Sequence, residues 1–153
     1  MSLVSQIVVN SNLELVWKAW TEADRLSEWF APEVLVELKE GGKYELYFDP
    51  INKRSMSTAG CKILRIEAPH TLVFEWKGPD PFTEVMNKPA NLTQIEVKLK
   101  ALSDGTLVTI CHSGWTESEP SQTARSWHEQ AWAQMLSSLK SKLEAGQGIL
   151  CCQ

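Results

Sequence analysis

The sequence lacks the segments and the charge balance that mark several classes of protein. No run of about eighteen apolar residues could cross a membrane, and Met1 to Asn10 is too short and too mixed for a secretion leader. The net charge of −4, from 19 acidic and 15 basic residues spread along the chain, favours neither a nucleic acid nor an anionic membrane surface as partner. We therefore expect a cytoplasmic protein that neither spans a membrane nor binds nucleic acid.

Cysteine is scarce, and its spacing does not suit a metal site. Cys61, Cys111, Cys151 and Cys152 form no paired C-x-x-C motif, and the adjacent thiols at the end of the chain supply too few ligands for a closed zinc site. The sequence also lacks the G-x-S-x-G, H-E-x-x-H, phosphate-loop and dinucleotide motifs. We expect no metal and no cofactor.

Tryptophan, in contrast, is abundant. The chain has 7 tryptophans among 153 residues, of which 43% are hydrophobic. Because an indole combines a large apolar surface with one N–H that needs a partner, this content indicates a large core or an aromatic-lined pocket. The length predicts one domain over 1–153, with an ordered core at about 4–146 and a tail at 147–153.

The first part of the chain predicts a strand followed by two short helices. Val4 to Asn10 has strand character, and Ser11 and Glu14 have the spacing of a capping box that starts a helix. One face of this helix is apolar at the spacing of successive turns, at Leu13, Val16, Trp17 and Trp20. A second helix begins near Thr21 to Asp24 and is stopped by Pro32.

The middle of the chain alternates apolar and polar residues, which predicts antiparallel strands. This pattern runs through 34–39 and 43–48, separated by Gly41-Gly42, and returns later in the chain. The later strands are expected at 58–68, 71–77, 93–102 and 106–113. The long irregular stretch at 78–92 lies between them, and such loops are often functional or disordered.

The last segment predicts a long amphipathic helix from Ser121 to Ala145, which Gly146 ends. The order of elements predicts an α+β fold. We expect a curved antiparallel sheet of about six or seven strands, two short helices after the first strand, and the C-terminal helix packed across the sheet.

Several short segments occur in the order and spacing of a known family. They are Val16-Trp17-Lys18-Ala19-Trp20-Thr21, Trp29-Phe30, Gly41-Gly42-Lys43-Tyr44, Ile66-Glu67-Ala68-Pro69-His70, Leu72-Val73-Phe74-Glu75-Trp76, Gly105-Thr106 and His112-Ser113-Gly114-Trp115. With them the chain resembles the START-like, or SRPBCC, helix-grip superfamily, in the branch of activator of heat-shock-protein-90 ATPase homologues. The resemblance implies the helix-grip fold and a small ligand-binding protein, without the further domain of the eukaryotic cochaperone. A chaperone partner is therefore not expected.

Two histidines stand on faces that the patterns predict to be apolar. His112 shares one face of its strand with Val108 and Ile110, and His128 lies on the stripe of the last helix with Trp132. The two rings could meet across one cavity and do chemistry there. The alternative is structural: His112 bonds a backbone carbonyl at its strand end, and His128 lies hydrated in a frayed first turn.

The inward faces of the strands and of the last helix predict the lining of a pocket. The candidates are Phe48, Phe74, Trp76, Leu99, Ile110, His112, His128, Trp132 and Met135, with Phe82 and Met86 as a lid over the mouth.

Three functions remain open at this point. The first is the binding of a small, largely apolar, aromatic or lipid-like molecule, anchored by His112 and Trp76. The second is a polyketide cyclase-like, aromatase-like or hydrolase-like enzyme with His112 or His128 as general acid or base. The third is a cochaperone-type module that binds protein through an exposed patch around Trp115 and Trp127. For Trp115 the alternative is a core position at the end of its strand. The oligomeric state, including a homodimer, is open as well.

Overall fold

The structure is a computed structural model, and it describes residues 2–49, 51–53 and 56–150. The elements of these ranges are β1 (Ser2–Val9), α1 (Leu13–Thr21), α2 (Ala23–Trp29), β2 (Glu33–Val36), β3 (Tyr44–Tyr47), β4 (Ile63–Glu67), β5 (Thr71–Trp76), α3 (Thr83–Met86), β6 (Thr93–Leu102), β7 (Gly105–Ser113) and α4 (Glu119–Ala145). Single 3-10 turns lie at Asp80–Phe82 and Pro89–Asn91. The predicted α+β fold is confirmed. Cys151 and Cys152 lie outside the described residues.

The strands form two antiparallel sheets. The larger has five strands in the order β1-β7-β6-β5-β4, and the smaller pairs β2 with β3. Isolated bridges from Lys43 to Lys62 and from Tyr47 to Ser57 connect the hairpin to the segment that precedes β4. The strand predicted from residue 58 therefore begins only at Ile63, because the Thr58 side chain accepts the Leu46 N–H and the chain turns there.

The start of α1 was predicted correctly, but its capping residue was not. The Asn12 side chain accepts the Leu15 N–H at 2.9 Å, as an Asn N-cap does. Ser11, the predicted capping residue, does not cap the helix. Its carbonyl instead accepts a hydrogen bond from the Thr106 hydroxyl at 2.8 Å. That bond joins the β1–α1 connection to the beginning of β7.

Helix α4 crosses the inner face of the larger sheet with the predicted apolar stripe turned inward. Its buried side chains include Ala124, His128, Trp132, Met135, Leu136 and Leu139. Ser118 caps its start, and Gly146, with a φ of 81°, ends it in the left-handed conformation that glycine adopts without a steric penalty. None of the helices in the described part of the chain is long and apolar enough to cross a bilayer.

Side chains of α4 also cover the outer edge of the sheet. Arg125 donates to the Ser2 carbonyl and Lys140 donates to the Val8 carbonyl, each at 2.9 Å. Both carbonyls belong to β1, whose other edge pairs with β7. Because an uncovered edge strand attracts other strands, these bonds protect the sheet and fix α4 along it.

The 78–92 stretch, predicted to be irregular, is folded over the end of β5. The Asn87 side chain accepts the Gly78 N–H at 2.7 Å and donates to the Gly78 carbonyl at 2.9 Å. A side chain at residue 78 would meet the Met86 sulfur, because a Cβ built there lies 2.5 Å from Sδ. The absence of a side chain at Gly78 therefore lets this segment close on itself.

Candidate functional site

A cavity of about 150 Å³ lies between the middle of α4 and the ends of β3 and β5. Its walls come from four parts of the chain: the end of α2, the end of β3 with the segment that follows it, the end of β5, and α4. The lining residues are Phe30, Phe48, Met56, Ser57, Trp76, Lys77, Gly78, Pro79, Trp127, His128, Ala131, Trp132, Gln134 and Met135. The fold thus brings residues that are far apart in sequence around one apolar space.

Aromatic rings in mutual contact form much of the wall. The ring centroids of Trp76 and Trp132 are 5.2 Å apart, and those of Phe30 lie 6.0 Å and 5.8 Å from them. Phe48 adds a further contact, 6.0 Å from both Phe30 and Trp76. Behind Phe30 the ring of Trp29 stacks at 4.7 Å. Contacts at these distances favour fixed ring positions and therefore a preformed wall.

His112 is fully buried and is held by hydrogen bonds at both ring nitrogens. The Trp132 indole N–H donates to its Nδ1 at 3.0 Å, and its Nε2 lies 2.8 Å from the Thr93 hydroxyl oxygen. An indole nitrogen can only donate, so Nδ1 must carry the lone pair and Nε2 the proton. His112 is therefore a neutral ring that donates to Thr93 and supports Trp132. The prediction that His112 bonds a backbone carbonyl is wrong, because both ring nitrogens bond side chains.

His128 has the same arrangement with the other indole of the wall. The Trp76 indole N–H donates to its Nε2 at 3.2 Å, and its Nδ1–H donates to the Ala124 carbonyl at 2.8 Å. The ring is 1% exposed, so the expectation of a hydrated histidine in a frayed turn is wrong. The two histidine rings lie 5.1 Å apart, which places them together as the pattern suggested.

Burial lowers the pKa of both histidines because it removes the water that would stabilise a charged ring. The pKa of His128 falls from 6.5 to about 4, even though its bond to the Ala124 carbonyl acts in the opposite direction. The pKa of His112 falls well below its ordinary range, and the nearby His128 adds to the effect of burial. Protonation would also convert each acceptor nitrogen into a donor that faces an indole N–H, and the hydrogen bond would be lost. Both rings are therefore neutral at pH 7, with their lone pairs engaged.

Phe48, Trp76, His128, Trp132 and Met135, all predicted from the sequence, border the cavity. The other predicted lining residues lie deeper in the core, behind this wall. Phe74 stacks on Tyr44 at 4.2 Å, His112 supports Trp132, and Leu99 and Ile110 are buried in the sheet.

The predicted lid residues lie beside the cavity and do not border it. The Phe82 ring is 5.6 Å from Trp127 and 6.2 Å from His128, both on α4. Met86 is 1% exposed and packs against Gly78. The segment 78–92 therefore reaches the mouth of the cavity through Gly78 and Pro79.

Sequence reasoning missed several lining residues, among them Phe30, Lys77, Trp127 and Ala131. Phe30 was placed at the end of the second short helix, and Lys77 at the end of a strand. Ala131 carried a usable signal, since a small residue next to Trp132 on the inner face of a helix leaves space that larger neighbours surround.

Of the two positions expected for Trp115, the exposed patch is wrong and the core position at the strand end is confirmed. Its side chain is 6% exposed, and its indole N–H donates to the His112 carbonyl at 3.0 Å. Trp127 is 47% exposed, with one face against Phe82 and His128. Trp115 therefore belongs to the core beside the histidine pair, and Trp127 borders the cavity mouth.

The described residues contain no group of histidine, cysteine and carboxylate side chains placed to hold a metal ion. Burial raises the pKa of the Cys61 thiol to about 12, so this side chain is a thiol and not a nucleophilic thiolate at pH 7. The chemistry that the geometry offers is an apolar, aromatic surface with a few polar atoms at its rim.

A long helix held across an antiparallel sheet, with two short helices after the first strand, defines the helix-grip class of α+β proteins. The family described as Activator of Hsp90 ATPase homolog 1-like protein matches residues 10–144 of this chain. The chain belongs to this family, and the predicted family is confirmed. The comparison with curated proteins gives no match.

Solved structures show the same fold at low sequence identity. The Aha1 dimer from Colwellia psychrerythraea is 22% identical, with a TM-score of 0.75 over 97% of this chain and 99% of that one. CalU16 from Micromonospora echinospora is 26% identical, with a TM-score of 0.69 over 94% and 74%. DynU16, from the dynemicin biosynthetic locus, is 17% identical, with a TM-score of 0.73 over 96% of this chain. This chain spans about half of DynU16, 48% of its length.

Proposed function

We propose that this protein binds a small, largely apolar aromatic molecule in the cavity between α4 and the sheet. The observation that carries the proposal is a preformed aromatic wall whose inner polar atoms already have partners. The indole N–H groups of Trp76 and Trp132 are bound by His128 and His112. A ligand in contact with this wall gains apolar and ring contacts without leaving these polar groups unpaired.

The size of the cavity limits the ligand to about one ring. Pockets for drug-sized ligands have volumes of about 300–1,000 Å³, and this cavity has about 150 Å³. An engineered apolar cavity of about 150 Å³ in another protein stays dry and binds benzene. A ligand with a single aromatic ring therefore fits this cavity without rearrangement of the protein, whereas an extended lipid chain does not.

The volume also supplies a driving force for binding. An empty apolar cavity destabilises a protein by about 24 cal/mol per Å³. For a closed void of the 150 Å³ found here this would amount to about 4 kcal/mol, which is an upper bound because this cavity opens at a mouth. A ring that fills the space recovers part of this free energy through contacts with the wall.

The hydrogen bonds of the histidines favour binding over acid–base catalysis. A general base needs a free lone pair within reach of the proton that it removes. The lone pairs of His112 and His128 each accept an indole N–H, so a substrate would first have to displace a wall tryptophan. This is why we rank ligand binding above the enzyme alternative.

Filling the cavity tests the proposal. Toluene at ten times its Kd should stabilise the wild-type protein by about 1.4 kcal/mol, which raises its Tm by about 3 to 6 °C. Ala131→Phe places a ring in the cavity and should abolish this shift, because Ala131 lines it. The matched control is Ala133→Phe, at an exposed position of the same helix, which should keep the shift.

Thermal melts with toluene and with indole provide the measurement. The proposal is contradicted if neither probe stabilises the wild-type protein. It is also contradicted if Ala131→Phe responds to them as strongly as Ala133→Phe does.

A further inference from the structure

We propose that the ligand carries a negative charge next to its ring, as an aromatic carboxylate does, and that Lys77 binds this charge at the rim of the cavity. The inference rests on the proposed function and narrows its ligand class. Its basis is the position of one cation on an otherwise apolar and neutral wall.

Lys77 follows directly after the last residue of β5 and is half-buried on the cavity wall, near Ser57. Its ammonium donates to the Ala59 carbonyl at 2.6 Å. An ammonium has three N–H donors, so this bond leaves two of them. None of the ion pairs among the described residues includes Lys77. The structure thus holds, in a residue that lines the cavity, a half-buried cation with spare donors whose ammonium lies at Ala59, next to the lining residues.

The acidic side chains of the neighbourhood are engaged elsewhere. The carboxylate of Glu45 accepts the Tyr47 hydroxyl at 2.7 Å and the Gly60 N–H at 2.7 Å. Glu75 accepts the Lys62 N–H at 3.0 Å. Neither carboxylate forms an ion pair with Lys77, so no carboxylate of the described residues occupies its spare donors.

The remaining polar groups of the wall supply no competing charge. His128 is neutral, the Ser57 hydroxyl donates to the Lys53 carbonyl at 2.6 Å, and the Gly78 N–H is bound by Asn87. Lys77 is the only cation among the described residues that line the cavity. A ring that stacks on the tryptophans can therefore direct a carboxylate to Lys77 in surroundings poorer in water than the open surface, where charge-assisted bonds are stronger.

Benzoate and benzamide test this inference, because they have the same shape and differ in charge. In 20 mM salt, calorimetric or NMR titration of the wild-type protein should give a Kd about tenfold lower for benzoate. Lys77→Met keeps most of the aliphatic stem, so it should bring the two Kd values together, mainly by weakening the binding of benzoate. Lys77→Gln repeats the test with a polar side chain.

The matched control is Lys100→Met, which removes one positive charge from an exposed position on β6 and should keep the tenfold preference. The inference is overturned if benzamide and toluene bind but benzoate has no advantage, or if the advantage survives in Lys77→Met. The proposed function stands in both cases. If none of the three probes binds the wild-type protein, the proposed function fails and the inference fails with it.

Discussion

Lowering the pH from 7.5 to 4 should destabilise this protein by at least about 3 kcal/mol through the two buried histidines alone. The pKa of His128 is about 4 in the folded chain and 6.5 when the ring is free in water. Between these values the unfolded chain binds a proton that the folded chain rejects. The free energy of unfolding is therefore at its full value above pH 6.5 and falls as the pH drops through this window. His112, with its pKa also lowered, adds to the loss.

Urea denaturation at several pH values between 7.5 and 4 measures this effect. A His112→Gln/His128→Gln variant should be less stable than the wild-type protein at pH 7.5 but should depend less on pH. The carboxylates are common to both proteins, so their titration cancels in the difference. Equal slopes in the two proteins would show that the histidines titrate at ordinary pKa values, contrary to the buried neutral pair described here.

Trp132→Ala should lower the free energy of unfolding by about 4 kcal/mol, within the range of large-to-small core substitutions. The indole is 1% exposed, packs on Trp76 and Phe30, and supplies the donor for His112 Nδ1. Its removal leaves a cavity and an unpaired acceptor in the core. Trp132→Phe restores much of the volume but not the donor, and we expect it to cost about 2 kcal/mol.

Trp127→Ala is the comparison on the same helix. Its ring is 47% exposed and borders the mouth, so we expect a loss of about 1 kcal/mol. Urea denaturation at pH 7.5 distinguishes these values. Two results would contradict the role of Trp132 as a packed and hydrogen-bonded residue of the cavity wall. One is equal destabilisation by Trp132→Ala and Trp127→Ala, and the other is a Trp132→Phe variant as stable as the wild-type protein.

Periodicity placed most of the elements and their buried faces, although the strand predicted from residue 58 begins only at Ile63. Alternation along β7 placed His112 on the inner face with Ile110, and the stripe on α4 placed His128 beside Trp132. These patterns describe single elements only. The resemblance to the helix-grip superfamily added the way in which the elements pack together. The meeting of the two histidines followed from both, because each ring was already on the face that the other approaches.

The indole partners of the histidines could not be predicted, since each of these bonds joins a strand to α4 and depends on where the helix crosses that strand. Trp76 and His128 are 52 residues apart, and their bond depends on where α4 crosses β5. The exposed position predicted for Trp115 was wrong for a local reason. Gly114 has a φ of 104°, and this turn brings the indole of Trp115 back toward the His112 carbonyl instead of into solvent.

The size of the cavity also could not be predicted from the sequence. Phe30 comes from the end of α2, and its ring packs between Trp76, Trp132 and Phe48 in space that a larger pocket would occupy. Phe74, Leu99 and Ile110 were expected at the pocket and instead form the core behind it. Whether an inward side chain borders a cavity or packs in the core depends on its neighbours across the sheet, which periodicity does not specify.

The most direct test of ligand binding in this cavity is a titration of the 15N-labelled protein with toluene, followed through the indole N–H signals and assigned with Trp→Phe variants. The account predicts saturable shifts for Trp76 and Trp132, which line the cavity. It predicts no shift for Trp17 on α1, which is not among the lining residues. Indole signals that do not move, or that move at Trp17 while those of Trp76 and Trp132 stay fixed, would contradict a binding site between α4 and the sheet.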